Sequence, residues 1–167
     1  MTGGSGVGKS TVCGELRRRG YDAFDADQGL ARWFANGSGV EVVLPADRDD
    51  DWFLHNTYRL PPDTVRRLGG KVGDRVGFVC GTVGNDNEIW ELFTHVVSLS
   101  VDAQTLRQRL AARTNGFGST EAEVQRILAW HATAELNNAR YGALIVDATP
   151  PPSKVVDNLL TALDLPT

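Results

Sequence analysis

Apolar positions along the chain recur with two periods in turn, which predicts strands alternating with helices. "STVCGELRRRG" puts Val12 and Leu16 on one helical face and stops at Gly20, a C-terminal cap. "YDAFDAD" alternates and reads as a strand ending at Asp25 to Asp27. "QGLARWFA" reads as a brief helix entering an "NGSG" loop, and "VEVVLPADRDDDW" as a short strand before an acidic loop. "PPDTVRRL" starts a helix with prolines in its first turn, where a missing N–H costs nothing. "RVGFVC" and "HVVSLSV" read as strands, each followed by a helix. The first of these helices starts from a capping-box-like Asn85 and Glu88, and the second spans 102–113. "TNGFGS" breaks the second, and Thr120 with Glu123 caps another that runs to about Arg140. "ALIVDAT" is the last strand, and beyond "PPP" a helix aligns Val155, Val156, Leu159, Leu160 and Leu163.

This order predicts an α/β fold around a parallel sheet, with ligands at the strands' C-terminal ends. The 167 residues suit a single domain, 1–167, and 41% hydrophobic with 23% charged residues is ordinary globular composition. A net charge of -4 leaves no basic footprint, which argues against a nucleic-acid partner. No apolar run approaches membrane-spanning length and no signal peptide is present, so the expectation is a cytoplasmic protein without a membrane partner. Cys13 and Cys80, far apart in sequence, read as reduced thiols. Nothing in the sequence specifies an oligomeric state.

The chemistry concentrates near the N-terminus. "GGSGVGKST" spells Gly3-x-x-x-x-Gly8-Lys9-Ser10-Thr11, the pattern of a phosphate-cradling turn between a strand and a helix. Glycines at 3, 4, 6 and 8 let successive N–H groups point inward, and the following helix adds its positive end. Lys9 is expected to bridge the β- and γ-phosphates of ATP, and Ser10 to ligate Mg²⁺. Lysine occurs elsewhere only at 71 and 154, so Lys9 is no accident of composition.

ATPases and GTPases carry a metal-holding aspartate after a hydrophobic strand. Here "RVGFVC" runs into Gly81 and Thr82, and no Asn-Lys-x-Asp guanine-reading motif occurs. The carboxylates instead form Asp25-x-Asp27, two residues apart on one side of a strand. That arrangement suits a kinase, with Asp25 on the metal side and Asp27 as general base for an acceptor hydroxyl. The alternative is that Asp27 only caps a helix starting at Gln28.

"TGGSGVGKSTVCGELRRRGYDAFDADQGLAR" resembles the N-terminal part of small P-loop kinases, the group of nucleoside monophosphate, shikimate, gluconate and dephospho-coenzyme A kinases. Over residues 2–32 the wording is most similar to the dephospho-coenzyme A kinases. A looser likeness continues through "LRQRLAART" as a lid helix, with a lid at about 107–120, and "IVDATPP" as a base-side loop. The resemblance implies a three-layer P-loop NTPase fold with a parallel sheet of order 2-3-1-4-5. It implies ATP bound by Gly4, Ser5, Gly6, Val7, Gly8, Lys9, Ser10 and Thr11, and Mg²⁺ held near Ser10 and Asp25. It also implies a lid arginine that stacks on adenine or neutralises transferring phosphate. Arg109 and Arg113 are the candidates, Arg113 lying nearer the break; a solvated helix face is the alternative for both. Several family features are missing: the shikimate-type Gly-Gly-Gly and Phe-Arg pair, and the dephospho-coenzyme A kinases' His-Pro pair. The acceptor is therefore expected to be a small molecule, a nucleoside or nucleotide by superfamily frequency. The rivals are a regulatory module that binds nucleotide without transfer, and a plain ATPase.

On the acceptor side, Thr82 and Asn85 either bond the acceptor or form a turn and a helix cap. Trp52, His55 and Arg59 fit a helical stripe that is either a pocket wall or ordinary packing. Asp49 to Asp51 read as a solvated loop, and Asp147 as a strand-end cap or a base-loop support. The strand that should precede the loop is the middle of the expected sheet. Met1 and Thr2 are too few to form it, and its loss would open a gap of roughly 10 Å. An upstream start, closure by another segment, or a poorly ordered loop would each account for this; the first is the favoured expectation.

Overall fold

The computed structural model describes residues 1–47, 49–112 and 121–166. In chain order the elements are α1 (Lys9–Arg18), β1 (Asp22–Asp25), β2 (Arg32–Ala35), β3 (Glu41–Val42), α2 (Asp50–His55), β4 (Asn56–Arg59) and α3 (Pro62–Val72). They continue with β5 (Gly77–Cys80), α4 (Asp86–Ile89), a 3₁₀ turn (Trp90–Leu92), β6 (Val97–Ser100), α5 (Ala103–Ala111), α6 (Glu121–Arg140), β7 (Leu144–Asp147) and α7 (Pro152–Ala162).

Two parallel pairs, β1 with β5 and β6 with β7, form the two halves of one layer. Met1 and Thr2 join them. The Thr2 N–H donates to Val97 O at 2.7 Å, and Thr2 O accepts from Leu99 N at 3.0 Å. On the other side the Met1 amine donates to Val79 O at 2.6 Å and Met1 O accepts from Gly81 N at 3.0 Å. The order is thus β1-β5-(Met1-Thr2)-β6-β7, matching the expected 2-3-1-4-5, with a single isolated bridge from Thr2 to Ser98 where the first strand would run. As expected, two residues are too few to form a strand, but their backbone groups bond to both neighbouring strands. The loop needs only the last rung of the ladder to be anchored, and that rung is present. Below Met1, where the rest of such a strand would lie, is an apolar cavity of about 410 Å³ flanked by Phe24, Phe78, Val97 and Leu159.

The main core lies between this layer and its helices. Val12, Cys13 and Leu16 of α1 meet Val155, Val156, Leu159 and Leu160 of α7, as their spacing predicts. Each such aliphatic side chain contributes roughly 1.5–3 kcal/mol on burial. Cys13 and Cys80, distant in sequence, are both buried in this core; the neighbouring Cys13 thiol, then burial, pushes the Cys80 thiol up.

Four local expectations are overturned, one of them the solvated acidic loop, since Asp49 caps and Asp50 and Asp51 open α2. "QGLARWFA" is a turn followed by β2, not a helix. Trp33 and Phe34 favour a pleated surface, and β2 gains antiparallel partners in β3 and β4. The helical stripe is cut, because α2 ends at His55 and Arg59 lies in β4. The Asn85 capping box does not form: the buried Asn85 side chain makes no cap bond and instead binds both backbone groups of Leu60 at 3.0 Å. Among the described residues no helix is long and apolar enough to cross a membrane.

Candidate functional site

The loop between Thr2 and α1 is shaped by close approaches that only glycine permits. Gly3 has φ +133°, and a Cβ there would lie 2.6 Å from Leu99 O. Gly6 has φ +92°, and its Cβ would meet Leu106 of α5 at 2.7 Å. Gly8 is the N-cap of α1 and offers no side chain, so the helix's first amides have no side-chain cap and face outward from its positive end. Thr82, weighed as an acceptor ligand, donates from Oγ1 to Gly3 O at 2.5 Å and so holds the loop. The Lys9 ammonium donates to Gly3 O and Gly4 O at 2.8 and 2.9 Å.

One cavity of about 630 Å³ lies over the loop, lined by Ser5, Gly6, Val7, Gly8, Lys9, Ser10 and Thr11, with Asp27, Arg109 and the prolines 150 and 152 opposite. Gly4 faces the other side. Arg109 is not on a solvated face. It donates from Nη1 to Val7 O at 2.9 Å and from Nη2 to Ala148 O at 2.8 Å, tying the loop to the end of β7. Arg113 and most of the expected lid lie outside the described residues.

Asp25 is buried, and its Oδ1 accepts from the Asp27 N–H at 3.1 Å. Asp27 is exposed and accepts from the Tyr58 hydroxyl at 3.1 Å. No helix starts at Gln28, which removes the capping alternative for Asp27. Burial, then the neighbouring Asp27 carboxylate, pushes the Tyr58 hydroxyl above its usual range, so it stays a proton donor.

A second cavity, about 960 Å³, opens on the other side of the loop and shares Ser5, Lys9 and Asp27 with the first. Trp33 and Tyr58 come from the antiparallel sheet, and Trp90, Trp130 and Tyr141 from the far wall. Asp86 lines it too; burial pushes its carboxyl up, opposed by a hydrogen bond with Trp90. Trp33, Tyr58 and Asp86 are functional candidates that the sequence reading missed. For Trp33, the strand-favouring aromatic pair Trp33-Phe34 is the signal that was there to find. Of the residues expected here, Trp52 packs on Trp33 with ring centroids 4.8 Å apart, and Arg59 pairs with Glu88 at 2.5 Å. His55 is exposed and bonded to Asp51 O. Asp49 caps α2, and Asp147 accepts from Thr149 N.

A family model described as AAA domain matches residues 1–128. No curated protein matches the sequence. Among solved structures, the chain is similar to an unliganded sugar kinase from Janibacter sp. HTCC2649, at 18% identity and a TM-score of 0.53. The similarity covers 98% of this chain and 92% of that one, and it supports the P-loop NTPase-type fold.

Proposed function

The chain belongs to the AAA domain family, and from that premise we propose that it is a small-molecule kinase: it transfers the γ-phosphoryl group of ATP to a hydroxyl or phosphate of a metabolite. The observation that carries this reading is the junction of the two cavities at Lys9 and Asp27. A nucleotide-binding module or a plain ATPase has no need of a second, larger cavity beside its general base.

In this reading the α1 amides and the loop from Ser5 to Thr11 bind the triphosphate, the donor set suiting a polyanion. Lys9 exchanges its two loop carbonyls for phosphate oxygens. Arg109 holds the base-side loop against Val7. Ser10 and Asp25 would hold Mg²⁺, which keeps most of its waters and phosphate oxygens and needs only one or two protein ligands. The metal would neutralise charge on the β- and γ-oxygens. Tyr58 orients Asp27, which takes the acceptor's proton as the acceptor oxygen forms its bond to the γ-phosphorus. The bond from that phosphorus to the bridging oxygen breaks, and its electron pair leaves with ADP.

The test is a metabolite panel read by ADP release from MgATP, with Asp27→Asn beside the natural chain. A general base contributes roughly 10²–10⁴-fold. The variant is therefore expected to lose about 100-fold or more in kcat while still binding MgATP. If no metabolite stimulates ADP release although MgATP binds, the chain is a nucleotide-binding module and the kinase reading fails.

A further inference from the structure

The reading above leaves the acceptor as either a hydroxyl compound or a phosphate ester, and the larger cavity discriminates between them. Its charged lining among the described residues is Asp27, Asp86 and Lys9. Lys9 belongs to the loop and already serves two of its carbonyls. Arg59, the strand's nearby cation, is not in the lining and is paired with Glu88. A phosphate ester seated here would face two carboxylates, and among the described lining residues none is an arginine able to offer the bidentate bonds that phosphate recognition uses.

The remaining lining suits a different ligand. Trp33, Tyr58, Trp90 and Trp130 present aromatic faces, while Asn87 and Asn138 add amide donors and acceptors. Aromatic faces with a few convergent polar groups bind planar or apolar surfaces that carry hydroxyls. Carboxylates accept hydrogen bonds from hydroxyl groups and repel anions. At about 960 Å³ the cavity is large enough for a nucleoside or a disaccharide.

We propose that the acceptor is an uncharged hydroxyl compound with a planar or apolar face, of nucleoside or sugar type, and that the cavity selects it against its own phosphate ester. This rests on the kinase reading for the word acceptor, but the selectivity belongs to the cavity alone and can be measured without turnover.

Three of the four tryptophans, Trp33, Trp90 and Trp130, line the cavity, and Trp52 packs edge-on against Trp33. Intrinsic fluorescence therefore reads its occupancy directly. With MgADP added to engage the loop, the protein is titrated with adenosine, cytidine, glucose and ribose, and with the monophosphate of each. Saturable quenching by at least one unphosphorylated compound, about tenfold or more tighter than by its ester, is expected. The nucleoside and sugar arms tell which source supplies it. Asn87→Arg, at an exposed lining position, is expected to narrow that ratio about fivefold or more by adding a guanidinium to the lining. Esters that bind as tightly as their parents, or a panel with no binder, overturn the proposal, as does an Asn87→Arg protein with an unchanged ratio. ADP release is followed in the same samples. Selective binding without ADP release sinks the kinase reading and leaves the selectivity standing.

Discussion

Asn85→Ala is the substitution whose cost the structure fixes most closely. Asn85 is 1% exposed, and its amide satisfies both backbone groups of Leu60, itself 2% exposed: Oδ1 accepts from the N–H and Nδ2 donates to the carbonyl, each at 3.0 Å. Alanine leaves both groups buried without those partners. An orphaned buried donor or acceptor costs about 1–3 kcal/mol, so the pair predicts a loss of roughly 2–6 kcal/mol. For a chain of this size that lowers Tm by roughly 2–4 °C for each kcal/mol. Urea unfolding at unchanged m-value is the assay, with Asn87→Ala as an exposed neighbour expected to stay within about 0.5 kcal/mol. Leu60 directly follows β4, two residues beyond Tyr58, so a loosened Leu60 also loosens the hydroxyl that orients Asp27. Asn85→Ala is accordingly expected to lower kcat as well as stability. A stability loss below about 0.5 kcal/mol would refute the assignment, because only a surface position is so tolerant.

Two further outcomes follow from the same geometry. Arg109→Ala removes charge-assisted bonds to the buried Val7 and Ala148 carbonyls, and is expected to weaken MgATP binding about tenfold by calorimetry; unaltered affinity would show that the loop does not depend on this tie. The Met1 amine donates to Val79 O within the sheet, and desolvation there pushes its pKa below the ordinary 8.0. Between the lowered value and 8.0 the unfolded chain binds more protons than the folded one, so stability climbs with pH through that window and is level above it. Urea midpoints of the protein with a free Met1 amine should show this climb, and an acetylated N-terminus should lack it.

What was legible in the sequence was what the sequence holds contiguously. The loop from Gly3 to Thr11 is one local turn whose glycines, lysine and hydroxyls carry their meaning wherever the strand and helix around them fold. The α7 face and the strands at Phe78, Leu99 and Val146 were legible for a related reason, since a buried stripe repeats with its own period. Asp27 was legible as a candidate because it lies two residues from Asp25 along one strand end, and the absence of a helix at Gln28 removes its rival role as a cap. The family resemblance added the sheet order, which two backbone rungs at Met1 and Thr2 then satisfied.

The acceptor wall was not legible because no single segment contains it. Trp33 reaches the cavity only once β2 pairs with β4, and that pairing overrides the helical look of "QGLARWFA". Tyr58, directly opposite Trp33 in the register, gains its role from a hydroxyl bond to a residue 31 positions away. Asn85 and Glu88 carry the spelling of a cap, but burial beside Leu60 gives the amide two stronger obligations than a helix end in solvent would. Local patterns lose to tertiary pairing wherever a polar side chain is the only partner available to a buried backbone group. On the kinase reading proposed above, the nucleotide half of the site is therefore written in one loop, while the half that would choose the acceptor is written in contacts between distant segments. Substitutions in the first should abolish nucleotide binding, and substitutions in the second should change which compound is accepted while leaving the nucleotide in place.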